Sequence, residues 1–415
     1  MKQNISFLIL LLLSIPVFAG GNGPAYSYKG FGLFPYNSST QMNGTGGAGL
    51  AINNSSYINI YNPAQWLTSK TTRIQSHFSY EGITETSGSG SSNYLDNVSL
   101  DGVLFTFPIK DKMSLGFGIS PYSLNNYSII VDDKFNDISY RDEYFGSGGL
   151  SKFTFGAGLK FSENLNFGIR IDYIHGSIDK NILRTVSNIG NASDVTIIRT
   201  RNNQFSGGAL SLSSFALINE NWFKNGDKLF FSTILDFGTT LSGTTSLNES
   251  SYYASDTTSV SENAPLKLPF GIKFGMGYHQ DENLVIAMDF IFTNTSRLGF
   301  EKLENEETAD QFSLRTGFAY TPDLSIGSVY WNKMTYKGGF YIGQSSVIIQ
   351  NKKQDEIGFT AGLSLPLSSQ SSSLELSGEF GLKGYMYNSP FKDKMFKIRV
   401  GINLSELWFQ ERIID

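Results

Sequence analysis

Large apolar residues recur at every second position through most of this chain, and that period limits what it can fold into. Met113, Leu115, Phe117 and Ile119 point one way, while Ser114, Gly116 and Gly118 point the other. The segments 165–173, 268–278, 357–365 and 396–404 repeat the pattern. Successive side chains of a strand lie on opposite faces, so the period predicts an all-β fold with one large apolar face and one of glycine, hydroxyl, amide or charge.

The start of the chain decides between the two kinds of sheet that alternate in this way. Lys2, the apolar run Phe7 to Leu13 and the small-residue site at Val17-Phe18-Ala19 read as an export signal (1–19) cut after Ala19. There is no cysteine, which excludes a lipid-anchored lipoprotein, a disulfide framework and thiol chemistry. Beyond the signal no apolar run approaches the roughly 18 to 20 residues of a membrane-spanning helix. Such a chain enters a membrane only as a closed barrel. Charged residues are 17%, against about 25% in soluble domains. Aromatic residues reach 14%, a load that the girdles of an outer-membrane barrel use. A net charge of −5 argues against a nucleic-acid partner.

A soluble sandwich turns its apolar face inward; a transmembrane barrel turns it to lipid and lines a lumen with the other. The signal and the aromatic load, together with the family resemblance of residues 42–67 described below, favour a transmembrane antiparallel β-barrel. Fourteen strands are predicted, near 72–81, 98–108, 112–124, 150–161, 164–180, 200–219, 227–242, 266–279, 283–296, 310–321, 333–344, 355–366, 372–387 and 395–409. Connections alternate between long (82–97, 125–149, 181–199, 243–265) and short (109–111, 162–163, 280–282), as external loops and periplasmic turns do. An even count leaves both termini at the periplasmic end. The connection 322–332 is too long for its side, so either this turn is elaborated or the register shifts there. The chain also runs past Trp408-Phe409 to Asp415, so the assembly signal is internal or the last strand lies elsewhere.

Between signal and strands lies a stretch unlike either, from Met42 to Leu67. Gly44, Gly46, Gly47 and Gly49 let the backbone fold tightly against other surfaces. Asn62-Pro63-Ala64 then interrupts regular structure before the first strand. The glycines also fit a dinucleotide fingerprint, but Asn37 to Gln41 before them is no apolar strand, nor do Asn53 to Ser56 continue a helix. The stretch resembles the N-terminal hatch of the FadL-type family, outer-membrane channels for long-chain fatty acids and other hydrophobic molecules. That resemblance implies a hatch over 20–70 and a barrel over 71–415, with the N-terminus reaching toward a ligand pocket. Phe31, Leu33 and Phe34 would then be candidate ligand contacts, or would pack the plug against the wall.

Little else points to chemistry. His77, His175 and His279 have no local metal-ligand spacing, so no metal and no cofactor are expected. No G-x-S-x-G elbow is present, and no catalysis is expected. The acidic groups Asp132, Asp133, Asp137, Asp142, Glu143 and Glu301, Glu304, Glu306, Glu307 read as solvated external loops rather than calcium sites. Arg170, Asp172, Asp236, Lys273, Asp289, Lys397 and Arg399 fall opposite the large apolar residues. Lining a lumen, they pair across strands and avoid the ~2–4 kcal/mol that a mid-depth Lys or Arg costs against lipid. The expectation is an outer-membrane channel that binds a hydrophobic small molecule. The second reading is a barrel that binds a protein partner in a secretion or surface-attachment system.

Overall fold

The computed structural model describes residues 23–406 apart from 29–31, 35, 37–38, 55, 89, 137, 188–193, 222–223, 225, 252–253, 282, 298–307, 326 and 368–371. The expectations for the signal, Phe31, Asp137, Glu301, Glu304, Glu306, Glu307 and Trp408-Phe409 lie outside those residues.

Eighteen strand segments among the described residues form one antiparallel sheet. They are β1 (Thr72–Ser87), β2 (Ser92–Ile109), β3 (Met113–Leu124), β4 (Tyr127–Phe135), β5 (Ile138–Ser162), β6 (Leu165–Ser187), β7 (Val195–Glu220), β8 (Lys228–Asp236) and β9 (Thr240–Ser251), then β10 (Ala254–Asn263), β11 (Leu266–Lys267), β12 (Gly271–Gln280), β13 (Leu284–Thr293), β14 (Gln311–Tyr320), β15 (Thr335–Ile349), β16 (Lys352–Pro366), β17 (Ser373–Lys383) and β18 (Phe391–Glu406). Three positions around the sheet hold broken strands. β3 and β4 both pair with β5, β8 and β9 with β7, and β10 to β12 run beside β9 and β8. The eighteen segments therefore fill fourteen positions, and β1 pairs with β18 from Thr72↔Glu406 to Ser87↔Phe391 to close the ring. No sheet edge remains for lipid to meet at that seam.

The apolar face points out. Phe155 is 59% exposed and Phe290 41%, whereas Asp289, one residue away, is 0% exposed. This removes the sandwich alternative, in which the large residues would be the buried ones.

The predicted strands stop short at the external end. β5, β6 and β7 have 25, 23 and 26 residues, where about 9–11 span a bilayer. Most of the expected long loops are thus strand continuations standing above the membrane. The period fails there for a physical reason: no lipid constrains the outer face, and cross-strand polar pairs replace apolar residues. Thr185 meets Thr196 at 3.4 Å, Arg199 meets Glu249 at 3.1 Å, and Asp142 takes two bonds of 2.6 Å from Arg184. The acidic cluster is corrected accordingly: Asp132 and Asp133 lie on β4 and Asp142 and Glu143 on β5, with Asp142 buried. At the other end, β14 and β15 stay in register through Tyr320↔Tyr336, so the excess length after Tyr320 belongs to an elaborated turn containing the short helix Tyr330–Lys333.

The hatch fills the lumen. Ser39 caps the helix Thr40–Gly44 by accepting from the Met42 amide at 3.2 Å. Gly46 and Gly47 then turn the chain at φ +72° and +82°, values that a side chain resists. Asn62 leaves the helical region ahead of Pro63, at φ −122° and ψ 86°, as expected, and Pro63 then opens a 3-10 helix over Pro63–Thr68, where its missing N–H costs nothing. Met42, Leu50, Ile52, Tyr57 and Tyr61 pack with Ile234, Val285 and Ala287 of the wall.

Bare positions on the wall let the hatch backbone in. A Cβ at Gly277 would fall on the Ala51 carbonyl, one at Gly317 on the Thr45 carbonyl, and one at Gly339 on the Gly46 nitrogen. Gly339→Val is expected to expel the hatch from its seat or to lower stability by about 1–3 kcal/mol. Protease cleavage within 40–69 of the purified barrel, protected in the parent and exposed in the variant, is the measurement that checks it.

Candidate functional site

The seam between hatch and wall gathers the polar groups that the lumen holds. From residue 40 to 69 the hatch backbone lies off the wall's ladder, so amides and carbonyls there meet wall side chains instead. Asp289 accepts from the Gly49 and Leu50 amides at 2.7 and 3.0 Å. Thr360 accepts from the Gly46 amide at 2.8 Å and donates to the Gly44 carbonyl at 3.2 Å. Arg315 donates to the Gly46 carbonyl at 3.3 Å. Asn62 donates to Ser232 Oγ at 2.8 Å and to the Leu50 carbonyl at 3.1 Å, and Ser213 Oγ accepts from the Ala64 amide at 3.3 Å.

A charge cluster surrounds Tyr61 of the hatch. Arg170 donates to the Tyr61 carbonyl at 2.8 Å, to Asp172 at 3.0 Å and to Asp236 at 2.8 Å. Lys273 also pairs with Asp236. Lys152, Arg170 and Lys273 lie 5.2, 5.8 and 5.3 Å from the Tyr61 ring centroid, within the range of a cation–π attraction. Tyr36 stacks on the same ring at 5.3 Å, and Arg315 sits 4.4 Å from Tyr36. Burial raises the Tyr36 and Tyr57 hydroxyls well above the ordinary tyrosine range, so both stay neutral.

Three further pairs hold the far wall. Lys337 bonds Glu375 at 2.8 Å, and Glu375 accepts from hatch residue Gln41 at 2.9 Å. Arg399 meets Asp101 at 3.1 Å, where a bulge between β1 and β2 turns Asp101 inward, and Lys397 lies 3.9 Å from Glu81. All seven charges named from the sequence thus line the lumen: Arg170, Asp172, Asp236 and Lys273 share one cluster, while Asp289, Lys397 and Arg399 stand apart.

One flank of the upper lumen is apolar. Leu150, Ile174, Ile178, Phe205, Leu241 and Leu266 form a buried cluster, and Phe34 packs against it. Leu33 pairs with Leu124 through 2.8 and 2.9 Å bonds at the break between β3 and β4. There Asn125 donates to the Ser27 carbonyl at 2.8 Å. The N-terminal segment therefore lines the wall where its ladder is interrupted.

His77 contacts Thr40 at 3.1 Å, His279 accepts from the Asn53 amide at 3.1 Å, and His175 stacks on Phe153. Sequence reasoning missed Tyr36, Tyr61, Lys152, Arg315, Thr360 and the glycines that face the hatch. For Lys152 and Gly317 the signal was available, since they occupy the same strand face as the charges that were named; nothing local marks Tyr61.

A family model described as BamG matches residues 1–415. No curated protein matches the chain. Among solved structures, the Ralstonia pickettii toluene transporter TbuX is similar at TM-score 0.60 and 13% identity, over 88% of this chain and 98% of that one. A Pseudomonas aeruginosa FadL homologue is similar at 0.58 and 11%, over 89% and 99%. The P. putida toluene transporter TodX is similar at 0.57 and 13%, over 92% and 100%. At these identities the likeness shows the fold: a FadL-type outer-membrane barrel, as the hatch stretch implied.

Arg170→Ala leaves Asp172 and Asp236 buried with too little positive charge, and a loss of about 3–5 kcal/mol is expected. Adding Asp172→Asn is expected to restore part of it. Denaturant midpoints of the detergent-solubilised barrel check both.

Proposed function

The chain belongs to the BamG family, and from that premise we propose that it is a closed outer-membrane barrel that holds a protein partner in a Bam-associated role, without catalysis. The observation that carries this reading is the fastening of the hatch, whose backbone is bonded to Asp289, Thr360, Arg170 and Ser213 of the wall. A bore filled and fastened in this way suits a barrel whose working surface lies outside it. On this reading the chain arrives behind a signal cut after Ala19, needs no cofactor and is surrounded by outer-membrane lipid. Purification of the tagged protein in mild detergent is expected to recover a Bam component at fixed stoichiometry. Recovery of the barrel alone, carrying a fatty acid or hydrocarbon, overturns the proposal.

A second reading is uptake of hydrophobic small molecules such as long-chain fatty acids. It is favoured by the apolar cluster around Phe34, set against the break at Asn125-Asn126. Uptake through a filled lumen requires the hatch to move, whereas partner binding does not. The Asn62 and Ser232 side chains already touch, so Asn62→Cys with Ser232→Cys can tie the hatch down in a chain with no other cysteine. Partner recovery is expected to survive the closed disulfide. Loss of hydrocarbon uptake that returns on reduction would establish the second reading.

A further inference from the structure

The elaborated turn at the periplasmic end is tied to the outer face of the wall. Tyr336 pairs with Tyr320, and both belong to the outward face, since the next residue, Lys337, turns into the lumen to meet Glu375. Yet the Tyr336 hydroxyl donates to the Trp331 carbonyl at 3.1 Å, and the Tyr330 hydroxyl donates to the Pro366 carbonyl at 3.3 Å. These bonds draw the helix Tyr330–Lys333 back against the outside of β15 and the end of β16 instead of beneath the bore. The turn's base is fastened too, by Asp323 N–H to the Asn332 carbonyl at 2.9 Å and Thr321 to Thr335 at 2.8 Å. The fastened turn presents Val329 at 63% exposure and Trp331 at 68%, with Leu324 and Tyr330 also exposed and Leu367 exposed beside them after β16.

We propose that the turn 321–334 is a lipid-binding foot that inserts Trp331 and Val329 into the headgroup and upper acyl zone of the periplasmic leaflet. What selects lipid over a protein partner is continuity: Phe318, Tyr320 and Tyr336 form the end of the lipid-facing band on β14 and β15, and the Tyr336 hydroxyl bonds the Trp331 carbonyl, so the exposed aromatic surface passes directly from the band to the foot. Trp and Tyr, with an apolar body and one polar edge, are the residue types that settle at this depth. The foot sits beside β14 to β16 only, so it fixes the depth of one flank of the barrel.

The test uses the full-length barrel in phosphatidylethanolamine–phosphatidylglycerol vesicles. Trp222→Phe and Trp408→Phe leave Trp66 and Trp331, and subtracting the emission of the same chain with Trp331→Phe isolates the foot. Blue-shifted emission, quenched more by lipids brominated near the carbonyl end of the chain than near its methyl end and insensitive to iodide, is expected. Red-shifted emission that iodide quenches and bromolipids do not overturns the proposal. Bromolipid quenching that is lost in the purified partner complex also overturns it, since a protein then covers the foot. Should the tryptophan variants fail to assemble, a spin label at Val329→Cys in this cysteine-free chain gives the same depth: oxygen access above that of a water-soluble nickel chelate supports the foot, and the reverse refutes it.

Discussion

Irregular backbone shut inside a barrel has amides and carbonyls that neither a strand ladder nor bulk water satisfies, and the rest of this structure depends on meeting that need. The wall meets it with side chains aimed inward: Asp289 for two consecutive amides, Thr360 for an amide and a carbonyl, Ser213 and Ser232 at the far end of the hatch. Those bonds require close approach, which bare wall positions such as Gly277, Gly317 and Gly339 permit. The alternation of large and small along each strand thus serves two solvents, lipid outside and a folded segment of the same chain inside.

Much of the barrel was legible for that reason. Wherever lipid touches one face, Phe, Ile and Leu must occupy every second position, so all fourteen wall positions could be placed. Above the membrane the constraint disappears, and β4, β9 and β10 were invisible: Ser, Thr and charge in β9 and β10 serve either face of a strand or a loop equally well, and the consecutive Ile129, Ile130 and Val131 of β4 break the two-residue period. The hatch was recognisable by its glycines but not derivable in detail. Tyr61 receives its role from Lys152, Arg170 and Lys273, residues on strands far from it in sequence, and Pro63 starts a helical turn whose partners lie on β5 and β6.

The charge cluster explains how a lumen can be both polar and stable. Arg170 alone serves a hatch carbonyl and two carboxylates, and Lys273 completes the second of them. Buried ion pairs of this kind add little net stability over apolar packing, but they penalise any arrangement that separates them. Specificity of hatch position, rather than strength, is what they supply. With the plug in this position, the outer wall, the tall external strands and the periplasmic turn are the surfaces open to the surroundings.

The link between hatch and first strand also governs the order of assembly. Ser69 to Thr71 is all that separates the 3-10 helix from β1, and β1 zips to β18, the last strand of the ring. The Asn403 side chain donates to the Ser56 carbonyl across 347 residues of chain, and Asn43 reaches Ser377 across 334. Residues synthesised first are therefore secured by residues synthesised last. Contacts of such separation form late and slowly, so the seam and the plug must mature together: a ring that zips early shuts its own stopper out.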